Sequence, residues 1–364
     1  MDEPVFVDTA PEAAQPLLQE ILTYLETEVA PNANRIDQQK SLLSSALQAL
    51  AELGIFRLAP PEAVGGLGCP PSILWHLALK LGEASGALAF LVSQHQTALS
   101  IILEHPNSSV AQAYFSDLML GKTLIGVGFS HLRYNHVDLK AHSLSQGYLL
   151  KGNIPWLSGF QHMTMVVVAA ELPDEQTLFA LLPLMNAQQS SGGILHLTLP
   201  LPLAAVPSTQ TVQAEVIDWF VPPEDVVGIG DPNWIEQRDS QKLLRGSAAP
   251  LGCARASLQV LATFPQSAEL YACLWDRWQF LYTTIQQELG QLNPPYHAKL
   301  RAKAVQLAVR AAQAAMITTG GSAVLLNHTV QRLYREAMLY MVTGLNNNLR
   351  DALLAELLVE ERCL

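Results

Sequence analysis

The sequence predicts a mostly α-helical protein with a β domain set between two helical regions. Three observations carry this prediction. Apolar residues recur three and four apart from about residue 15 to 120, alternate by two from about 124 to 227, and return to helical spacing from about 239 onward. The expected division is an N-terminal helical domain over 1–122, a middle β-barrel or sandwich over 123–230, and a C-terminal four-helix bundle over 231–364.

In the first region Leu17, Leu18, Ile21, Leu22 and Leu25, then Leu42, Leu43, Ala46, Leu47 and Leu50, lay one apolar stripe along a helix. The stretch APPEAVGGLGCPP at 59–71 is too rich in glycine and proline to continue it. In the second region Val137, Leu139 and Ala141 alternate with polar neighbours, as do Leu195, Leu197 and Leu199, then Val212, Ala214 and Val216. Turn residues at 145–147 and 190–193 punctuate these runs, which predicts six to eight strands. In the third, GQLNPPY at 290–296 interrupts the helical pattern. The alanine-rich stretch 297–319 that follows lets helices approach closely, as in an antiparallel bundle.

Hydrophobic residues make up 49% of the chain and charged residues 15%, a thin polar surface for a monomer of 364 residues. A partner surface is therefore expected, most simply a second copy, as a homodimer or homotetramer. The apolar runs at 165–170 and 178–182 fall short of the roughly 20 residues that cross a bilayer, so no membrane span is expected. The acidic start MDEPVFVDTAPEAAQPLLQE lacks the positive charge of an export signal. The four cysteines have no paired spacing, against a metal site or a disulfide framework and in keeping with a reducing cytoplasm. A formal charge of −11 disfavours nucleic acid, whose phosphates attract basic surfaces.

The stretch KGNIPWLSG at 151–159 puts a tryptophan among strand-breaking residues. Read by itself, Trp156 packs in the β-domain core and Ser158 satisfies a turn. The surrounding motifs point elsewhere. ELGIFRLAPPEAVGGLG at 52–68, GYLLKGNIPWLSG at 147–159, VIDWFVPPEDVVG at 216–228 and GGSAVLLNHTVQRLYREA at 320–337 resemble, in order, four motifs of the acyl-CoA dehydrogenase family. That family consists of flavoproteins built as helical domain, β domain and helical bundle, and the resemblance spans nearly the whole chain.

The resemblance implies an FAD cofactor, with FMN as the smaller alternative, and an acyl-thioester or other small-molecule substrate. It places Trp156 beside the isoalloxazine and the Ser158 hydroxyl near its N5. Ser130, at the end of the first strand, matches a second hydroxyl contact, while His131 replaces an acid and the glycine-rich loop that follows is shortened into 132–136. His131 and Arg133 become candidate polar groups over the flavin, Arg133 in the substrate pocket. Their alternative is a solvated strand end. Gly320 and Gly321 match a turn whose amides approach the cofactor diphosphate of a neighbouring subunit, with favourable dipole from a helix end, or they form a plain interhelical turn. The diphosphate segment R-x-x-F-G is missing, and Ile317 replaces a glutamine. Arg332 and Arg335 read as structural ion pairs, with Glu336 as one partner.

The family's catalytic glutamate has two known positions, which fall here at Thr343 or Gly344 and at Lys242. None is a carboxylate. Asp239, one turn before Lys242, and His131 are the substitute candidates, and a helix cap is the other reading of Asp239. Three functions stay open: a flavin oxidoreductase without a carboxylate base, including a reduced-flavin monooxygenase; a dehydrogenase with a relocated base; and a noncatalytic binding or assembly protein.

Overall fold

The computed structural model describes residues 6–133 and 138–362. Val137 and the shortened loop at 134–136 lie outside the described residues. The first region is six helices, α1 (Gln15–Tyr24), α2 (Ala30–Gln38), α3 (Lys40–Glu52), α4 (Pro71–Ala84), α5 (Gly86–Glu104) and α6 (Ser109–Met119). A π-helical turn at Leu25–Val29 joins α1 to α2. Pro31, at the start of α2, has no N–H to give to the preceding turn, and the wider turn absorbs that loss.

Nine strands follow among the described residues: β1 (Ile125–Gly128), β2 (Lys140–Leu144), β3 (Gly147–Leu157), β4 (Met165–Glu171), β5 (Thr177–Pro183), β6 (Ala187–Gln188), β7 (Ile194–Leu197), β8 (Val212–Val221) and β9 (Val226–Gly230). They form one mixed sheet of order β6-β7-β8-β3-β2-β4-β5-β9, with β1 parallel to β4. The count exceeds six to eight because short edge strands such as β6, two residues long, are too brief to show a period. Gly152 kinks β3: its φ is +134°, and a Cβ there would lie 1.7 Å from the Asp138 carbonyl oxygen.

The third region is α7 (Trp234–Lys242), α8 (Ala248–Leu261), α9 (Ala268–Glu288), α10 (Pro294–Thr319), α11 (Thr329–Val342) and α12 (Asn347–Arg362). Helix α10 is the axis of the bundle and touches α8, α9, α11 and α12. Its buried alanines, among them Ala302, Ala304, Ala308, Ala311 and Ala312, permit that crowding.

The protein is mostly helical around a central sheet, as the periodicities predict. Its cores are shared, however. The N-terminal helices and the sheet bury one continuous cluster, and the bundle buries a second. Helix α4 serves both, giving Ile73, Leu77 and Leu81 to the first and Trp75 and Leu79 to the second. It lies against α8 through two glycines: a Cβ on Gly82 would meet the Ala249 Cα at 2.6 Å, and one on Gly252 the Leu79 carbonyl oxygen at 2.1 Å. Helix α5 is the one element among the described residues long and apolar enough to cross a membrane, at mean hydropathy 1.3. Here that apolar surface packs inside the core, with Leu88, Leu91, Val92, Leu99, Ile101 and Ile102 all buried.

Strand β1, which leads to the candidate site, is fastened by His95 on α5. Its Nε2–H donates to the Leu118 carbonyl at 2.9 Å, and its Nδ1 accepts the Ile125 N–H at 3.0 Å. Both ring nitrogens are therefore used by a neutral imidazole, and burial lowers its pKa to about 4.

Two measurements check this packing. Gly252→Ala should destabilise by about 1–3 kcal/mol in urea unfolding, although helix propensity favours alanine by about 1 kcal/mol, because the α4 backbone blocks the added methyl. The folded pKa of His95 lies below the unfolded value of 6.5, so its effect on stability is absent above that pH and grows as pH falls toward about 4. The loss should be on the order of 3 kcal/mol. His95→Gln, which keeps one donor and one acceptor, should flatten that part of the pH profile of urea midpoints.

Candidate active-site cleft

Strand β3 ends in Trp156, Leu157 and Ser158, and side chains alternate across it. Leu157 is buried, whereas the Trp156 indole is 43% exposed and makes no ring contact with another aromatic among the described residues. It does not fill the β-domain core. The Ser158 hydroxyl is buried and paired with Thr211 Oγ1 at 2.8 Å, and Thr211 lies 3.5 Å from Thr209 Oγ1. Gly159, at φ +95°, donates its N–H to the Thr209 carbonyl and fixes the chain there. An apolar plane therefore stands open beside a row of buried hydroxyls.

Beyond β1 the chain turns through a 3-10 helix, Ser130–Arg133. Ser130 Oγ is buried without a hydrogen-bond partner. His131 is 1% exposed, so the reading of this segment as a solvated strand end is corrected. Its Nε2–H donates to the Ala169 carbonyl at 2.8 Å, which leaves the lone pair on Nδ1, buried and unpartnered. Burial lowers its pKa and keeps the ring neutral.

Arg133 grips Asp239 with two hydrogen bonds, Nε to Oδ2 and Nη2 to Oδ1, each 2.7 Å. Asp239 lies inside α7 and caps nothing, because both oxygens hold the guanidinium and Oδ2 also receives Asn346 Nδ2 at 3.4 Å. Its lone pairs are already engaged, which leaves it poorly placed to take a proton from a substrate. The pair ties the end of β1 to α7 and to the connection before α12.

Basic side chains stand beside or at the two positions where the resemblance led a catalytic glutamate to be expected. Beside Thr343 and Gly344 stands Arg301 of α10, which donates Nη2–H to the Thr343 carbonyl at 2.6 Å and has its Nε buried without a partner. It threads past two glycines: a Cβ on Gly246 would come within 2.5 Å of its guanidinium carbon, and Gly344 has φ +58°. Burial lowers the Arg301 pKa to about 10, against the opposing field of Asp239. At the other position Lys242 donates to Ser100 Oγ at 3.2 Å and lies 3.8 Å from Glu104 Oε1. Nothing in the pattern around residue 301 marks Arg301 as part of this cleft, because its three-residue spacing to other α10 residues looks like any helix face.

Gly320 and Gly321 close α10 away from this cleft. Gly320 adopts φ +77° and ψ −154°, a conformation open to glycine alone, and a Cβ on either residue would meet nothing within 4 Å. Gly320 is at once the C-cap of α10 and the first residue of a short 3-10 helix, Gly320–Val324, and the carbonyl end of the much longer α10 works against an anion here. Exposed Ile317, Val324, Leu325 and Leu326 surround the turn. Arg332 and Arg335 are structural ion pairs, with Glu336 at 2.8 Å and with Asp37 of α2 at 2.6 Å.

The ring end of a flavin fits these residues: an open indole, a buried unpartnered hydroxyl at Ser130, and a cleft lined by polar groups. The diphosphate end has less, since the glycine turn offers space at the carbonyl end of α10.

Residues 11–122 match the family model described as the N-terminal domain of acyl-CoA dehydrogenase. The mitochondrial isovaleryl-CoA dehydrogenase of Arabidopsis thaliana is 21% identical, over 94% of this chain and 90% of its own length. Butyryl-CoA dehydrogenase from Megasphaera elsdenii superposes with a TM-score of 0.79 at 16% identity, covering 98% of this chain and 100% of that one. A glutaryl-CoA dehydrogenase from Mycobacterium smegmatis, solved in complex with FADH2, superposes with a TM-score of 0.76 at 12% identity, covering 95% of each chain. The protein is acyl-CoA dehydrogenase-like in its N-terminal domain and in its whole fold.

Asp239→Ala should cost about 3 kcal/mol in urea unfolding, because it strands the Arg133 guanidinium. The double variant Arg133→Met with Asp239→Leu should return to within about 1 kcal/mol of the parent. Additive losses from the two sites would contradict the pairing.

Proposed function

We propose that this protein is an FAD-dependent oxidoreductase of the acyl-CoA dehydrogenase type that works without a carboxylate base at either of the family's two positions. The observation that carries this reading is the open Trp156 indole, two residues before the buried Ser158 hydroxyl, with the unpartnered Ser130 hydroxyl on the 3-10 turn that packs against the same strand. A flat apolar surface of that size is costly to leave in water and suits a planar ring. In the proposed complex Trp156 covers one face of the isoalloxazine and excludes water from it. Ser130 and Ser158 supply hydroxyls at the ring edge, and Gly320 with Gly321 approach the diphosphate of a neighbouring copy. When bound, FAD supplies a two-electron acceptor or donor.

The rest of the chemistry belongs to the chain. A dehydrogenation that removes an α proton needs a base within hydrogen-bond reach. Here Arg301 stands beside Thr343 and Gly344, Lys242 occupies the second position, and Asp239 is held by Arg133. This corner stabilises developing or resident negative charge on the substrate, which favours an acidic small molecule or an acyl thioester whose enolate is held by cations. A homodimer or homotetramer is part of the proposal, because exposed Ile317, Val324, Leu325 and Leu326 surround the glycine turn.

The absorption spectrum of the purified protein, with and without added FAD, tests the reading. Bound flavin is expected, and no flavin bands after reconstitution would defeat it. Trp156→Ala should lower flavin occupancy while leaving thermal stability near the parent's. Trp219→Ala, whose indole is only 7% exposed, should cost about 3–5 kcal/mol of stability with less effect on occupancy. Equal occupancy in the two variants would count against this placement of the ring.

A further inference from the structure

Lys242 closes α7 in a corner crowded with guanidinium groups. Arg238 lies one helical turn before it and Arg245 just after it, and the fields of both bear on its amine. Arg133 and Arg301 stand around Asp239, the neighbour of Arg238. Glu104, at the end of α5, faces the amine together with Ser100, and Asp239 is the second carboxylate of the corner. Five cations thus share two carboxylates. Arg238 is committed to Glu104 Oε1 at 3.0 Å and Ser100 Oγ at 2.8 Å, and Arg133 to Asp239. Arg245 makes no hydrogen bond or ion pair among the described residues.

Ser100 sets the geometry of the amine. Its hydroxyl donates to the Thr97 carbonyl at 2.9 Å, so its lone pairs receive Arg238 and Lys242. The amine is thereby held in place while its side chain stays 30% exposed, open to a small molecule arriving from solvent. Burial first, and Arg238 next, lower the Lys242 pKa to about 7. A lysine whose charged form is disfavoured by burial and by neighbouring cations is the usual way a protein obtains a nucleophilic amine. A site that only bound anions would gain from a protonated lysine, whereas this surrounding works against that proton.

We infer that Lys242 is a nucleophilic amine that captures a small carbonyl compound bearing a carboxylate, such as a 2-oxo acid, as an imine, with Arg245 receiving the carboxylate. The amine lone pair attacks the carbonyl carbon, and the C–O π pair moves to oxygen and takes a proton. The carbinolamine then loses that oxygen with the two amine hydrogens as water, leaving a C=N bond. No oxidant or reductant takes part. Glu104 Oε1, 3.8 Å from the nitrogen, is held by Arg238, so solvent reaching the part-exposed side chain carries the proton from nitrogen to the departing hydroxyl. The inference does not rest on bound flavin, and apoprotein and flavoprotein should both show it.

Trapping the imine tests it directly. The full-length protein is incubated near neutral pH with glyoxylate and cyanoborohydride, and the reduced adduct is located by peptide mass mapping. Lys242 should be labelled at least about tenfold faster than Lys151, an exposed lysine on β3 that serves as the reference amine. Its labelling rate should reach half its maximum near pH 7. Acetaldehyde, which lacks the carboxylate, should label Lys242 more slowly, and Arg245→Gln should erase that preference. Labelling of Lys242 no faster than Lys151 would overturn the reactive amine. Equal rates with the two aldehydes would overturn the carboxylate arm. Because the labelling is read on the wild-type chain, it does not depend on whether a Lys242 variant folds.

Discussion

The close approach of α4 to α8 is the constraint on which the rest of the molecule depends. Two glycines, Gly82 and Gly252, let backbone meet backbone, and this contact sets the distance between the sheet and the bundle. Helix α4 gives one set of side chains to each hydrophobic cluster, so the two cores cannot slide independently. Arg133 at the end of β1 can then reach Asp239 on α7 with two 2.7 Å bonds, a geometry that tolerates little relative motion.

Within this frame the electrostatics of the cleft are reversed from those expected of a proton-abstracting dehydrogenase. Arg301 donates to the Thr343 carbonyl, and Lys242 stands in the polar net of Ser100, Glu104 and Arg238. Each carboxylate in the corner is already matched to a guanidinium. Charge of this sign stabilises anions that arrive or develop, and offers them no ready acceptor for a proton. The fold is shared with the structures it superposes on, and a shared fold does not by itself fix the chemistry of this corner.

Much of the fold was legible because its elements follow strong periods. The stripe through Leu43, Leu47 and Leu50 is buried as helix α3, and the alternation at Val212, Ala214 and Val216 is buried as strand β8. Trp156 was visible as an oddity, since a tryptophan next to proline and between glycines has no regular place to hide. Three features escaped the linear reading for a common reason, namely that they join residues far apart. His131 read either as a polar group over the flavin or as a solvated strand end, and the cover from β4, with the Ala169 carbonyl, was not visible. Asp239 looked like a cap or a base, yet its partner is 106 positions earlier. Arg301 gave no signal, because a buried arginine and a surface arginine on an alanine-rich helix have the same spacing.

The hydrogen bond from the Gly86 amide to Glu336 has a consequence for how the chain is made. It spans 250 positions, and it satisfies the first turn of a helix that lies in the interior. During synthesis α4 and α5 emerge long before the segment that completes them, with Trp75 and Leu79 still lacking their second core. The nascent polypeptide therefore exposes these apolar side chains until α8 to α11 have been made. That interval is the time at which a ribosome-associated holdase would matter to the yield of this protein.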